Sequence, residues 1–247
     1  MKHINPSAES FILSGSKDIA LLFLHGFTAS PSELYPTARL IHELSGLTIC
    51  APLLPGHGLT PDELNQYSWE QWYGAVEREI ISLKQSNRQV FIGGLSMGAL
   101  LSLHAARCIP GLKGAIAINA PIYYHTPMLT AISSLIGWIK PFYPKKTSMV
   151  SQKLKDKGRF AYDVIPVKAF GSLDQLRKEV INEVAGIKIP VLLIQSLQDE
   201  SVQACGTYYL RERIPKSQLL ELSHSGHIAT MGEEVEKIAQ AIVKFII

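Results

Sequence analysis

A short apolar run that stops at a cluster of small residues constrains the fold of this chain most. Residues 90–92 are Val-Phe-Ile, and residues 94–98 follow as Gly-Leu-Ser-Met-Gly. Residues 99–106 are then mostly small or apolar, as in a buried helix. This order of strand, tight turn and helix is the context in which a G-x-S-x-G pattern forms a nucleophile elbow. We therefore predict that Ser96 lies on a strained turn at the end of a strand.

The two glycines of this turn have a steric explanation. Larger side chains at positions 94 and 98 would collide with the neighbouring strand and helix. The helix is expected to begin directly after Ser96, so its positive N-terminal end would face an anion formed beside that residue. Ser96 is thus a candidate nucleophile, and the Met97 N–H is a candidate donor to an oxyanion.

Length and composition narrow the class of protein. The chain has 247 residues, of which 47% are hydrophobic and 18% charged, and this suits one globular domain. The net charge of +3 comes without a basic block, so nucleic-acid binding has no electrostatic footprint. No stretch looks like a signal peptide or a membrane span, and we expect a cytoplasmic protein without stable membrane insertion.

The three cysteines are odd in number and widely spaced, at positions 50, 108 and 205. Such spacing argues against a disulfide framework and against a metal site, and it favours a reducing compartment. We expect no metal and no cofactor.

Apolar runs and helical patterns alternate along most of the chain. Continuous apolar runs, such as residues 19–24 and 190–194, fit strands that are buried on both faces. Alternation of such strands with helices predicts an α/β fold with a mostly parallel sheet and helices on both faces.

The alternation breaks between residues 122 and 187. This interval shows helical and basic segments but no buried-strand run. We interpret it as a small helical cap inserted over the carboxyl edge of the sheet, with residues 1–121 and 188–247 as the core. The alternative is a set of ordinary crossover helices, although the interval is long for one crossover.

Two further polar side chains follow predicted strands in the order serine, aspartate, histidine. A serine hydroxyl needs a base within hydrogen-bond reach, and the imidazole of His227 suits that role. Asp199 would hold the imidazole in one tautomer and stabilise its charged form. His224 is the alternative base and Glu200 the alternative acid. This order of the three residues along the sequence is the one expected for the predicted α/β fold. It differs from the order in chymotrypsin-like and subtilisin-like proteases.

A second oxyanion donor is expected in the loop after residues 19–24. Gly26 lets the backbone turn so that the Phe27 N–H faces Ser96. His25 and His57 are then interpreted as structural residues of their loops.

These motifs together resemble the small bacterial carboxylesterases of the α/β-hydrolase superfamily, the group of the Geobacillus carboxylesterase and the Bacillus monoacylglycerol lipase. The resemblance implies an α/β-hydrolase fold, a Ser96–Asp199–His227 triad and an oxyanion hole from the Phe27 and Met97 amides. It also implies hydrolysis of short- to medium-chain carboxylic esters through an acyl-enzyme, without a metal or cofactor. The matching stretches are residues 24–28, 55–58, 94–98, 119–123, 198–200 and 225–230.

The substrate is expected to be a small-molecule ester, and the protein a monomer or a weak homodimer. Alternatives are a monoacylglycerol lipase, a thioesterase and a non-catalytic binding protein of the same fold.

Apolar residues between positions 126 and 143 are expected to cover an acyl chain, or else to pack the cap or form a dimer contact. The residues assigned to substrate binding are Gly26, Phe27, Ile122, Tyr123, Ile132 and Leu135.

Overall fold

A seven-stranded sheet forms the centre of the computed structural model, which describes residues 4–16, 18–86, 89–126, 140–145 and 148–247. The strand order is β1-β3-β2-β4-β5-β8-β9, and only β1 runs antiparallel to its neighbour. The predicted mostly parallel sheet is therefore confirmed. The strands of this sheet are β1 Phe11–Leu13, β2 Ile19–Leu24, β3 Thr48–Ala51, β4 Gln89–Leu95, β5 Ala115–Ile118, β8 Val191–Ser196 and β9 Ser217–Leu222.

Helices cover both faces of the sheet. Among the described residues, none of them combines the length and the apolar character needed to cross a membrane. The helices are α1 Tyr35–Ser45, α2 Pro61–Leu64, α3 Trp69–Gln85, α4 Met97–Cys108, α5 Met149–Asp156, α6 Val167–Glu183, α7 Ala204–Arg213 and α8 Val235–Ile246.

The continuous apolar runs are explained by the two covered faces. In β2, Leu22 and Leu24 pack with α3, α4 and α6, whereas Leu21 and Phe23 pack with α1 and α8. Because successive side chains of a strand point to opposite faces, a sheet covered on both sides needs an apolar residue at nearly every position.

The interval between residues 122 and 187 differs from its prediction. It contains a two-stranded antiparallel ribbon, formed by β6 Phe142–Pro144 and β7 Val164–Pro166, with α5 between the strands. The helical interpretation of this interval did not include the ribbon. Each strand has three residues, one of them a proline, and most positions are partly exposed. Neither strand therefore forms the buried apolar run that marks a strand in the sequence.

Helix α6 closes this interval and packs onto the core. Its buried residues Phe170, Leu173 and Leu176 belong to the same hydrophobic cluster as Leu101 and Leu103 of α4. This packing favours the crossover interpretation for α6, so a cap that ends at residue 187 stays a prediction.

The turn around Ser96 has the predicted backbone strain and the predicted close contacts. Ser96 has φ 56° and ψ −113°, and α4 begins at the next residue. A Cβ atom added at Gly98 would lie 2.1 Å from the Leu24 carbonyl oxygen, and one added at Gly94 would lie 2.6 Å from the same oxygen. Both glycines are therefore required because the helix passes directly against the end of β2.

We predict opposite effects for alanine at two helical glycines. Gly98→Ala should lower the free energy of unfolding by about 2 kcal/mol or more, since a backbone atom occupies the space of the new methyl group. Gly74→Ala is the matched control, because in α3 the nearest atom to an added Cβ is the Arg78 Nη1 at 3.7 Å. It should raise stability by up to about 1 kcal/mol. Urea denaturation measures both changes, and a Gly98→Ala protein of wild-type stability would contradict the packing argument.

Candidate active site

Ser96 and His227 meet at the carboxyl edge of the sheet. Ser96 follows β4 directly, and His227 lies in the loop between β9 and α8. The His227 Nε2 atom lies 3.0 Å from the Ser96 Oγ atom. This is hydrogen-bond distance between a hydroxyl and a ring nitrogen, so the imidazole can accept the serine proton.

Asp199 completes a hydrogen-bonded chain behind the imidazole. Its Oδ2 atom lies 2.7 Å from the His227 Nδ1 atom. Its Oδ1 atom accepts hydrogen bonds from the backbone N–H groups of Ser201 and Val202, at 2.7 and 2.9 Å. A carboxylate bound on both oxygens is held in a fixed orientation. Because an ionised carboxylate can only accept, the proton of neutral His227 is assigned to Nδ1, which faces Asp199. Nε2 is then free to accept from Ser96.

The two charged partners shift each other's pKa in opposite directions. Burial alone would lower the pKa of His227, but the Asp199 carboxylate, helped by Glu200 and Glu33, outweighs burial and raises that pKa above its ordinary value. Burial alone would raise the pKa of Asp199, but His227 and the two backbone N–H groups lower it. Asp199 is therefore ionised at neutral pH.

The structure places the two alternative residues outside this chain of contacts. The His224 side chain is exposed, and its backbone N–H donates to the Glu234 carboxylate at 2.9 Å. The Glu200 Oε2 atom accepts from the backbone N–H of His227 at 3.3 Å, whereas the ring nitrogen Nδ1 is held by Asp199. Glu200 thus supports the loop that carries His227.

The loop of residues 25–30, which we call the β2 loop, lies against Ser96. A Cβ atom added at Gly26 would lie 3.6 Å from the Ser96 Cβ and 2.9 Å from the Glu33 Oε1. The half-buried Phe27 comes next. Met97, the other predicted oxyanion donor, is the first residue of α4, where helix geometry leaves the N–H without an intrahelical acceptor. Met97 therefore adjoins Ser96 in the chain, and Phe27 follows a residue that lies against Ser96; their role as oxyanion donors stays a prediction.

His25 and His57 brace neighbouring loops. The His25 Nδ1 lies 2.9 Å from the Gly26 carbonyl oxygen, and its Nε2 accepts from the Leu54 N–H at 3.1 Å. The His57 ring stands 4.8 Å from that of His25, and burial lowers the pKa of both histidines. Both rings are neutral and structural, as their loop positions suggested.

Backbone strain marks the same edge of the sheet. Among the described residues, those other than glycine with positive φ are Thr28, Ser96 and Asn119. They follow β2, β4 and β5 respectively. Such conformations are unfavourable and persist where the surroundings fix them, which is typical of functional sites.

Asn119 is a functional candidate that the sequence analysis missed. Its side-chain oxygen accepts from the Ser196 N–H at 2.8 Å, and its Nδ2 donates to the His227 carbonyl oxygen at 2.8 Å. It therefore ties β5, β8 and the His227 loop together. The available signal in the sequence was an asparagine directly after an apolar strand. Asn119 is fully buried, and a buried amide must find hydrogen-bond partners.

The predicted substrate-binding residues differ in their burial and surroundings. Ile122 is fully buried in the cluster that contains Met97, whereas Tyr123 is exposed and packs its ring on Tyr209 at 5.8 Å. Ile132 and Leu135 lie outside the described residues. Their assignment to substrate binding, and that of Gly26 and Phe27, stays a prediction.

One group of metal-binding residue types occurs elsewhere in the described part of the chain. His104, Cys108 and Glu183 have ligand atoms within 4.8 Å of one another. The His104 Nδ1 contacts Glu183, however, while the Cys108 Sγ lies 3.9 Å from the opposite nitrogen, Nε2. The two partners of His104 thus meet different ring nitrogens, and Cys108 ends the helix that begins beside Ser96.

Comparisons with known proteins agree with this architecture. The chain is 27% identical over 231 residues to a thermostable monoacylglycerol lipase of Bacillus sp. (strain H-257), covering 92% of this chain and 90% of the relative. It is 27% identical over 251 residues to a carboxylesterase of Bacillus subtilis (strain 168), covering 100% and 98%. A solved structure from work on LipS and LipT, two metagenome-derived lipolytic enzymes, superimposes with a TM-score of 0.89 and 29% identity over 99% of both chains.

The family model described as the alpha/beta hydrolase family matches residues 21–241. That range includes the β2 loop, Ser96, Asp199 and His227. It also spans the whole interval between β5 and β8. By this match and by its sheet order, the chain belongs to the alpha/beta hydrolase family.

Proposed function

We propose that this chain is a serine carboxylesterase that hydrolyses short- to medium-chain carboxylic esters. One observation carries the proposal: the hydrogen-bonded chain from Ser96 through His227 to Asp199, with distances of 3.0 and 2.7 Å. A serine, a base and an orienting carboxylate in this relation form the arrangement that activates a hydroxyl for acyl transfer. The Bacillus relatives, named carboxylesterase and monoacylglycerol lipase, support the reaction class.

In the proposed mechanism, the Ser96 Oγ attacks the ester carbonyl carbon while His227 accepts its proton at Nε2. Asp199 stabilises the imidazolium that forms. His227 then gives the proton to the departing alcohol, which leaves an acyl group on Ser96. Water then attacks the acyl carbon while His227 accepts its proton, and the second intermediate collapses to release the acid as the C–Oγ bond breaks and His227 returns the proton to Ser96.

The carbonyl oxygen gains negative charge in each tetrahedral intermediate. The Phe27 and Met97 N–H groups are the proposed donors to it, and the N-terminal end of α4 adds a favourable potential. Donors built from backbone are already oriented before the reaction, so they stabilise the transition state more than the ground state.

A monoacylglycerol lipase is the second candidate, because the Bacillus lipase matches as well as the Bacillus carboxylesterase does. Both use the same chemistry and differ in the alcohol they accept. A series of p-nitrophenyl esters from acetate to laurate, assayed beside monoacylglycerols of equal chain length, separates them. Higher kcat/KM for the monoacylglycerols would favour the lipase.

Ser96→Ala should abolish ester hydrolysis without unfolding the protein. Removing the nucleophile closes the covalent route, and the expected loss in kcat is on the order of 10⁴-fold or more. Turnover of p-nitrophenyl butyrate and labelling by a serine-directed phosphonate measure it, with exposed Ser86→Ala as the control. Retention of more than about a tenth of wild-type activity would refute the assignment.

Replacing each of the two histidines of the last loop identifies the base. His227→Ala should lose activity to nearly the level of Ser96→Ala, because the hydroxyl then lacks an acceptor for its proton. His224→Ala should keep most of the activity, because its side chain is exposed. The reverse result would assign the base to His224.

The pH dependence follows from the raised pKa of His227. Protonation removes the base, so kcat/KM should fall on the acid side with a midpoint above the ordinary histidine value of about 6.5. Asp199→Asn removes the charge that favours the imidazolium, and the midpoint should move to lower pH while kcat falls. Exposed Asp163→Asn is the control and should leave the profile unchanged. An acid limb that stays in place in Asp199→Asn would show that Asp199 does not set it.

A further inference from the structure

Glu33 carries a carboxylate with no exposed surface, in the short helical turn Pro31–Glu33 after the β2 loop. Its Oε1 atom accepts the Gly26 N–H at 2.7 Å. A buried carboxylate is unfavourable unless hydrogen bonds and an opposite charge compensate it. One backbone N–H does not supply that compensation.

Arg159 supplies the opposite charge from the interval between residues 122 and 187, which we call the inserted region. Its Nε and Nη2 atoms donate to the Glu33 Oε2 atom at 2.8 and 2.7 Å, and its side chain is 13% exposed. The Glu33 carboxylate thus holds the β2 loop with one oxygen and the inserted region with the other.

The segment that follows Arg159 also lies along the β2 loop. The Phe160 N–H donates to the Ser32 Oγ at 2.9 Å, and the Tyr162 N–H donates to the Thr28 carbonyl oxygen at 2.9 Å. Residues 29 and 161 form an isolated antiparallel bridge. Arg159 is therefore held in place by the backbone contacts of the residues after it.

Glu33 also contacts the loop that carries the histidine. The Thr230 Oγ1 donates to the Glu33 carbonyl oxygen at 2.6 Å, three residues after His227. The Thr37 Oγ1 donates in turn to the Thr230 carbonyl oxygen at 2.8 Å. One residue thus joins the β2 loop, the inserted region and the His227 loop.

We infer that Glu33 and Arg159 are positioning residues for the oxyanion hole, an inference that rests on the proposed function. The Gly26 backbone is enclosed between the Glu33 Oε1 and Ser96. Anchoring the Gly26 N–H to Glu33 fixes this peptide, and so fixes the direction of the next N–H, that of Phe27. Arg159 neutralises a carboxylate that would otherwise repel the oxyanion.

This arrangement makes the effect of losing Arg159 specific to the transition state. Without the guanidinium, the Glu33 carboxylate stays buried close to the site where negative charge develops. The buried Lys145 ammonium, which donates to the Thr28 Oγ1, then compensates it only in part. A neutral ester in the ground state experiences little of this repulsion. The variant Arg159→Met should therefore lower kcat about tenfold, with KM within about twofold of wild type; full loss of an oxyanion donor costs about 10²- to 10³-fold.

Removing the carboxylate as well should restore activity. Glu33→Gln keeps an oxygen that can accept the Gly26 N–H but carries no charge. The double variant Glu33→Gln/Arg159→Met should therefore be more active than Arg159→Met alone. If the double variant is as inactive as the product of the two single losses, charge compensation is not the role of Arg159.

An oxyanion mimic gives a readout that a purely structural role would not move. A trifluoromethyl ketone analogue of the butyrate ester forms a hemiketal oxyanion on Ser96. Its inhibition constant should therefore rise in Arg159→Met by the same factor as kcat/KM falls. Arg39→Met is the matched control, because Arg39 pairs with Glu43 on the exposed face of α1. An inhibition constant equal to that of Arg39→Met would overturn the inference, even if kcat fell.

Two controls keep this test separate from the proposed function. If the wild-type protein neither hydrolyses p-nitrophenyl butyrate nor is inhibited by the ketone, the proposed function fails. If wild type does both and the Arg159 variants match it, only the positioning role fails. Thermal unfolding confirms that each variant folds, and Arg159→Gln takes the place of Arg159→Met, with the same two readouts, if the methionine variant does not.

Discussion

The contact between the start of α4 and the end of β2 is the constraint on which the site depends. The backbone at Gly98 passes so close to the Leu24 carbonyl oxygen that no Cβ atom fits between them. This contact sets the first turn of α4 beside the β2 loop and forces Ser96 into its strained conformation at the end of β4. The Ser96 hydroxyl, the first turn of α4 and the Gly26–Phe27 backbone are thereby brought into one small volume.

Two buried carboxylates, Asp199 and Glu33, flank this volume, and different groups compensate their negative charges. Asp199 has an imidazole on one oxygen and two backbone N–H groups on the other. Glu33 has a guanidinium on one oxygen and a single backbone N–H on the other. The first arrangement allows the charge on the partner to change during a reaction cycle, because imidazole can lose its proton near neutral pH. The second keeps its charge fixed, because guanidinium does not.

Local patterns in the sequence predicted most elements, and the resemblance to the carboxylesterases implied the contacts among Ser96, His227 and Asp199. Strand, turn and helix around Ser96 could be predicted because their signals lie within about twenty neighbouring residues, and sheet topology then brings strand ends together. The pairing of Glu33 with Arg159 could not be predicted, since 126 residues separate them and arginine is common. The ribbon of β6 and β7 also escaped prediction because its strands are short and partly exposed.

The pairing of a core carboxylate with an arginine from the inserted region limits how the two parts can be recombined. A core that keeps Glu33 needs a cation from the insertion beside its carboxylate, which Arg159 supplies by direct contact and the buried Lys145 ammonium supplies in part. Grafting an insertion from a homologue that lacks this cation would leave a buried negative charge in the chimera. The two regions must therefore be exchanged together at this point, and redesign of the insertion should begin from insertions that carry the arginine or from cores in which residue 33 is neutral.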